Sequence, residues 1–294
     1  MSKELLLIDG SHMLHRAYHK YASMRTLDGE VTSMIYGFPF ILRGSIDAFK
    51  PDKVIVIFDG KNRSKHRLEW LPNYKNRIPK LGFDKDNFVS QKFRVIEVLR
   101  VLGIPVAMSN EVEGDDLVWL VAKKYQKRGY HINLISGDKD FAQLVSDKFS
   151  QFIPHSKLTI TPANFEDHWG FRASQLVDYL SLLGDSSDKI PGYAGMGEKR
   201  SKKFLEQFGS IKNYVEHENL VFGKLDRDEL KRIWKLNKKL INIKWYVRNY
   251  MKGMKIPWVH KNTKFDKKGL LSIAKEFEIG TFMKTSFMKT FKEL

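Results

Sequence analysis

Leu5-Leu6-Leu7-Ile8-Asp9, an apolar run that stops at a carboxylate, decides the fold because the pattern recurs. Val54-Ile55-Val56-Ile57-Phe58 runs into Asp59, and Ile132-Asn133-Leu134-Ile135 into Ser136-Gly137-Asp138, with Asp140 close behind. Short β-branched or Leu-rich runs without polar alternation read as strands covered on both faces, the pattern of a parallel sheet. In open α/β sheets, ligands bind outside the carboxyl ends of the strands. Glu113, Asp115 and Asp116 follow at the start of a helical stretch, so the chain gathers acids at one edge. Such a cluster repels itself unless cations fill it.

Taken singly, each acid has an ordinary explanation. An Asp that ends a strand before Gly is turn chemistry, and carboxylates in a first helical turn complement the helix dipole. Capping uses one or two carboxylates, whereas Glu113-Gly114-Asp115-Asp116 offers three ahead of a helix predicted over 117–127. Glu113 and Asp116 can share a face there, with Asp115 pointing about 100° away. Oxygen-rich carboxylate sites suit Mg²⁺ or Mn²⁺, and a chain with no cysteine has no thiolate zinc or iron–sulfur chemistry.

The 294 residues suffice for one sizeable core and a smaller second domain. The formal net charge is +17 and the pI about 9.7 in spite of the acidic set, so basic residues dominate elsewhere. Such a surface favours nucleic acid over an anionic membrane face. No stretch approaches the roughly 20 apolar residues of a spanning helix, and the N-terminus lacks a signal peptide's apolar segment. With no cysteine, these features lead us to expect a soluble cytoplasmic protein.

Residues 1 to about 172 alternate strand and helix patterns, while the remainder reads as almost all helix. Helices are predicted over 11–22 and 33–49, the latter with an apolar face of Met34, Phe38, Ile41, Leu42 and Ile46. A further helix is expected at about 91–102 and a short strand at 104–106. Between Lys61 and Arg94 the chain is rich in Lys and Arg, interleaved with Trp70, Tyr74, Phe83, Phe88 and Phe93 and broken by Pro72, Pro79 and Gly82. One reading is a long solvated loop pinned to the body by its aromatics. The other, favoured by the overall charge, is a basic clamp on single strands in which aromatic faces stack bases.

A second acidic pair, Asp185 and Asp188, lies in Gly184-Asp185-Ser186-Ser187-Asp188-Lys189-Ile190-Pro191. Gly192, Gly195 and Gly197 follow, then Glu198-Lys199-Arg200-Ser201-Lys202-Lys203. This is no Walker loop, because Glu198 intervenes before Lys199 and no strand leads in. A helix, a glycine hairpin and a second helix with a basic start suggest a clamp on the DNA backbone, where helix N-terminal amides meet phosphate. An ordinary helix–turn–helix packing motif is the plain alternative.

Together these segments resemble the 5′-nuclease (flap endonuclease, 5′–3′ exonuclease) family, which includes the 5′-nuclease domain of bacterial DNA polymerase I and stand-alone bacteriophage 5′ nucleases. The likeness is carried by Leu7-Ile8-Asp9-Gly10-Ser11 with Arg16-Ala17-Tyr18, Tyr36-Gly37-Phe38, Phe58-Asp59-Gly60, Arg67 with Pro72 and Tyr74-Lys75, and Glu113-Gly114-Asp115-Asp116. Gly137-Asp138-Lys139-Asp140, the run 184–192, Gly195-Met196-Gly197-Glu198-Lys199 and Phe208-Gly209-Ser210 complete it, in order, from residue 5 to about 215.

The resemblance implies an α/β fold: a PIN-like, mostly parallel sheet flanked by helices over 1–172, with a helical arch or gateway at about 61–94. It also implies a helix–three-turn–helix motif at about 173–210; the residues themselves read as a helical region over 173–294 that ends in a basic C-terminal tail. Carried over by position, Asp9, Asp59, Glu113, Asp115, Asp116, Asp138, Asp140, Asp185 and Asp188 are expected to bind metal, two or more Mg²⁺ with Mn²⁺ as a substitute. Lys75 becomes the arch lysine and Arg16 a catalytic phosphate contact. Gly192, Gly195, Gly197 and Lys199 belong to a hairpin that binds the duplex backbone, with a monovalent cation such as K⁺.

Two departures stand out. His15 occupies the place before Arg16 where the family commonly has a stacking aromatic, and Tyr74-Lys75-Asn76-Arg77 has one residue between lysine and arginine where two are usual. The residues from about 220, with Trp234, Trp245 and Trp258, fall outside the likeness, and no polymerase-like segment follows. A stand-alone, monomeric protein of a bacterial or phage-infected cell is therefore expected. Its expected activity is metal-dependent, structure-specific 5′ cleavage of flapped, nicked or gapped DNA, with removal of RNA primers on DNA included. A branched-DNA-binding protein that does not cut and a PIN-type ribonuclease are the competing classes.

Overall fold

The computed structural model describes residues 3–61, 64–76 and 82–294; Arg77 and Pro79 lie outside them. The first half runs β1 (Lys3–Asp9), α1 (Gly10–Lys20), α2 (Ser33–Phe49), β2 (Lys53–Asp59), α3 (Lys65–Trp70), α4 (Lys85–Val101), β3 (Val106–Ser109), α5 (Gly114–Gln126), β4 (Tyr130–Ile135), β5 (Phe149–Ile153) and β6 (Leu158–Ile160). The second half is α6 (Phe165–Trp169), α7 (Leu176–Leu183), α8 (Glu198–Phe208), α9 (Ile211–Glu216), α10 (Arg227–Ile241), α11 (Ile243–Tyr250), β7 (Trp258–His260), α12 (Lys267–Glu276) and α13 (Thr285–Lys292). Among the described residues no helix is long and apolar enough to cross a membrane.

The strands form one seven-stranded sheet in the order β6-β5-β4-β1-β2-β3-β7. The five inner strands are parallel, and the two edge strands β6 and β7 run antiparallel to their neighbours. Successive strand residues face opposite ways, so β1 sends Leu6 and Ile8 into one core and Leu5 and Leu7 into the other. In β2, Val54, Val56 and Phe58 likewise join the first core, and Ile55 and Ile57 the second. Helices α1, α2 and α4 cover the first face, and α5 and α11 the other. This two-sided burial is what the unbroken apolar runs foretold.

Several boundaries shift for local reasons. The strand expected at 104–106 begins at Val106, because Pro105 has no N–H to give the ladder and contributes only its carbonyl, to Val56 N–H. Helix α4 starts earlier than 91, at Lys85, since Asp84 caps it by accepting from Asn87 N–H at 2.9 Å.

The largest departure concerns the tail. β7 pairs with β3, matching Val106 with His260 and Ala107 with Trp258. Helices α12 and α13 then bring Leu270, Ala274, Phe287 and Phe291 into the core shared by α1, α2 and α4. The expected basic appendage is therefore part of the first core, and its amphipathic helices supply one of that core's walls.

A further apolar cluster joins α7, α8, α9 and α10 through Leu180, Phe204, Phe208, Tyr214 and Leu230, and it also takes in Tyr74 from the gateway segment. The loop after α7 closes backbone on backbone. A Cβ on Gly192 would stand 2.2 Å from Leu183 O, and one on Gly184, where φ is +71°, 2.3 Å from Gly192 N. Only glycine fits both places.

If the C-terminal helices are structural, Phe287→Ala should destabilise the whole protein by about 3–5 kcal/mol, the cost of deleting a buried aromatic. Urea unfolding followed by far-UV circular dichroism measures it. A loss below about 1 kcal/mol would make α13 an appendage after all.

Candidate metal centre and nucleic-acid interface

Because β1, β2 and β4 are parallel and in register, their carboxyl ends fall together: Asp9 pairs with Ile57 and Ile8 with Ile135. Asp9 caps α1, accepting from His12 N–H at 3.0 Å and from the Ser136 hydroxyl at 2.7 Å. Ser136 Oγ in turn accepts from Asp138 N–H, which ties the β4 exit to β1. Asp59 Oδ1 accepts from Gly114 N–H at 2.7 Å and joins the end of β2 to the start of α5. A side chain at 114 would meet that same oxygen at 2.8 Å. Asp138 Oδ1 accepts from Asp140 N–H at 2.9 Å.

Crowding shows in the ionisation of these groups. Burial, with repulsion from Asp59 and Asp138, pushes Asp9 up to about 7 against its two hydrogen bonds. Burial and Asp138 push Asp140 up to about 8. Asp115 is raised well above the carboxylate range by burial, with Asp138, Asp59 and Asp9 adding to it and Lys75 opposing. Asp115 thus faces the strand-end acids across the edge.

Asp116, the ninth acid expected to bind metal, is turned instead onto Arg67. It is fully buried, and Arg67 grips both its oxygens, at 2.6 and 2.9 Å. Arg67 also donates to Leu240 O at 3.0 Å and lies 4.1 Å from the Tyr246 ring centroid, although it is only 2% exposed. A buried guanidinium so surrounded is a structural pin. Glu113 and Asp116 do share a face, as the helical spacing predicted, and that face points at Arg67.

Glu113 joins the pin to the site. Its Oε2 accepts from Tyr74 Oη at 3.0 Å and from Lys75 Nζ at 2.8 Å. Burial would raise Glu113, but Arg67 and Lys75 pull it down to about 2. Lys75 Nζ also lies 3.8 Å from Asp115 and 3.9 Å from Asp188, and Lys75 N–H donates to Asp188 O. Burial disfavours its charge, yet Glu113 and its neighbours hold the ammonium well above its ordinary value.

The second acidic pair sits in a closed loop. Asp185 and Ile190 exchange two backbone hydrogen bonds, and Asp185 Oδ1 accepts from Ser187 and Asp188 N–H. Lys139 Nζ reaches Asp185 Oδ2 at 3.0 Å, so Lys75 and Lys139 both bridge the two acidic groups. Gly192 is packed within this loop, Gly195 adopts φ +77°, and Gly197 starts α8 with no side-chain cap. Lys199 is exposed in the first turn of α8. The backbone amides there stay open to an anion.

The gateway aromatics turn inward, contrary to the base-stacking clamp. Trp70 packs on Trp245, Tyr246 and Tyr250, Tyr74 is buried, and Phe83 and Phe88 pack on Tyr18 and on His15, the residue whose stacking role was open. Phe93 alone of the five is more than half exposed. Arg77 lies outside the described residues.

Among the described residues, no three His, Asp or Glu side chains already converge as a metal-holding set. Several of the acids are instead turned onto a donor, as Asp9 is to Ser136 and Asp185 to Ser187. The donor chemistry, carboxylate oxygens in electrostatic excess, fits a hard divalent cation. Sequence reasoning gave no role to Arg67, Ser136, Lys139 or Tyr246. Lys139 was visible between two acids, whereas a buried Arg in a basic segment carries no local signal.

A family model described as 5′-3′ exonuclease, N-terminal resolvase-like domain, matches residues 4–170, more than half of the chain. The chain belongs to the 5′–3′ exonuclease family. A second model, for that family's C-terminal SAM fold, matches residues 171–261. The chain is 35% identical over 243 residues to the thermostable DNA polymerase I of Thermus aquaticus, covering 80% of this chain and 28% of that protein. It is 32% identical over 235 residues to DNA polymerase I of Bacillus subtilis, covering 78% and 26%. It therefore spans about a quarter of the length of these relatives. In fold it is similar to the flap endonuclease of bacteriophage T5, crystallised as a pseudo-enzyme-product complex with DNA and metal ions. That likeness has a TM-score of 0.71 at 19% identity, over 99% of this chain and 100% of that one. The resemblance read from the sequence and the PIN-like α/β fold are borne out.

The pin and the strand-end acids should separate under mutation. Asp116→Asn should cost about 3–5 kcal/mol, because it leaves Arg67 buried without its counter-charge. Asp138→Asn should leave stability unchanged or raised, since it relieves repulsion. Parallel urea titrations decide; equal losses would place both acids in one structural network.

Proposed function

We propose that this chain is a divalent-metal-dependent, structure-specific 5′ nuclease, a flap endonuclease and 5′–3′ exonuclease acting near the 5′ end of branched, nicked or gapped DNA. The observation that carries this reading is the charge excess at the strand ends, where Asp9, Asp115 and Asp140 are all held above the ordinary carboxylate range beside Asp59 and Asp138. Asp9, Asp59, Glu113, Asp115, Asp138, Asp140, Asp185 and Asp188 would hold Mg²⁺, with Mn²⁺ as a substitute; Asp116 would act through Arg67. When bound, such ions polarise the scissile phosphate and the water that attacks it.

The remaining chemistry belongs to the chain. Lys75 is held by a left-handed backbone at φ 50°, with its ammonium shared among Glu113, Asp115 and Asp188. Freed from those acids, the ammonium would reach a phosphate and stabilise charge as the bond breaks. Arg16, on α1 one turn beyond His12, can contact a neighbouring phosphate. The hairpin of Gly192, Gly195, Gly197 and Lys199 would grip duplex backbone, with K⁺ as a candidate monovalent ion. Junction structure, not base sequence, would then select the site. RNA-primed DNA and a monomeric state belong to the same reading.

End-labelled flap, nicked, single-stranded and RNA-primed substrates, each with Mg²⁺ and with EDTA, test it. Cleavage should need Mg²⁺ and favour flap and nick. Asp138→Asn and Asp140→Asn should each abolish cleavage while largely sparing affinity, which comes from the basic surface. Full activity in both variants would end the metal-site assignment.

Lys75→Ala should slow the single-turnover rate by about 10²-fold or more while shifting equilibrium binding far less. An unchanged rate with weakened binding would make Lys75 a phosphate anchor only.

A further inference from the structure

Helix α5 carries Asp115 in its first turn, at the acidic edge, and ends about 18 Å farther along its axis beside Lys127, just before β4 begins at Tyr130. Its far end therefore lies at the amino-terminal edge of the sheet, opposite the acids. There a groove of about 680 Å³ opens between α5 and the end of α11. Lys123, Lys124 and Lys127 line it from α5, and Arg248 and Lys252 from α11 and the turn that follows; all five are exposed. Among the described residues no Asp or Glu lines the groove, and none of the five cations pairs with a carboxylate. Complementing the helix dipoles accounts for Lys123, Lys124 and Arg248 in the last turns. Lys127 and Lys252 stand beyond the helix ends. We propose that this groove docks an acidic peptide of a partner protein, with carboxylates on the cations and an apolar side chain on the floor.

Charge alone would suit any polyanion, and the rest of the lining selects a peptide. Leu120 and Met254, partly buried against the core that includes Val247 and Met251, give the groove an apolar floor. Methionine adapts its shape to an apolar guest. At the end of α11, Val247 O accepts from Met251 N–H and Met251 O from Met254 N–H, whereas no backbone N–H of the described residues donates to the carbonyls of Arg248 and Asn249. The lining residues thus carry backbone acceptors as well as cations. Peptide N–H groups can answer such acceptors, while a phosphate backbone brings only more acceptors. Among the described residues no aromatic lines the groove, so a single nucleic-acid strand finds no stacking platform there. A second copy of this chain, with a net charge of +17, would meet cations with cations.

Peptide docking at this edge is independent of cleavage at the other. Fluorescence anisotropy in EDTA at physiological salt tests it, because charges about 18 Å apart exceed twice the Debye length of about 8 Å and are screened from each other. The probe is a labelled octapeptide in which Asp and Glu flank Leu and Phe. It is compared with a form carrying Asn and Gln for the acids, a form carrying Ser for Leu and Phe, and a flapped DNA duplex. The acidic, apolar peptide should bind at least tenfold more tightly than either altered form. The variant Lys124→Glu/Lys252→Glu should bind that peptide at least tenfold more weakly and the duplex as wild type does. Both substituted residues are exposed, and unchanged duplex binding shows that the variant is folded. Unaltered peptide binding in the variant, or no preference for the acidic peptide over its amide form, would overturn the proposal. Binding of the Ser form as tight as its parent's would also overturn it, leaving a diffuse basic patch. An equal loss on the duplex would overturn it in favour of a nucleic-acid surface.

Discussion

Carboxylates crowded at the carboxyl edge of a parallel sheet repel one another, and the nearby cations are placed to answer that repulsion. The apolar strands bring Asp9, Asp59 and Asp138 together, and α5 adds Asp115 from its first turn. Desolvation makes the crowding worse, as the raised Asp9, Asp115 and Asp140 show. Lys75 and Lys139 then bridge to the second acidic loop at Asp188 and Asp185. Acids neutralised by lysine ammonium groups can exchange those cations for metal ions.

The same constraint explains how the helical half is coupled to the site. Arg67, between Asp116 and the Leu240 carbonyl, fastens the gateway root to both α5 and the end of α10. Tyr246 on α11 covers its guanidinium and shares a 2.7 Å hydrogen bond with Ser64. Lys75 follows eight residues after Arg67 and is tied to the second acidic loop through its backbone. The part of the chain proposed to grip duplex and the lysine proposed to act on the phosphate thus share one buried pin.

Much of this was legible in the sequence, and the unreadable part has a physical reason. A two-sided strand needs an unbroken apolar run, so β1, β2 and β4 and their terminal acids could be read directly. Glu113, Asp115 and Asp116 could not be sorted, because spacing gives relative angle while only packing against Arg67 fixes which face turns inward. The gateway aromatics misled because Trp70 and Phe88 look alike in sequence whether they meet a base or Trp245 and Tyr18. The return of residues 265–291 to the first core was hidden for a similar reason: amphipathic helices announce an apolar face without naming its partner.

The central claim is that the acidic edge is built to hold divalent cations. Its most direct test is the melting temperature of the protein titrated with Mg²⁺, against NaCl at matched ionic strength, since a ligand that binds only the folded state stabilises it by mass action. The account predicts that Mg²⁺ raises the melting temperature well beyond the salt control, and that the excess disappears when Asp9 and Asp138 are both changed to Asn. Identical curves for Mg²⁺ and NaCl in the wild-type protein would contradict it.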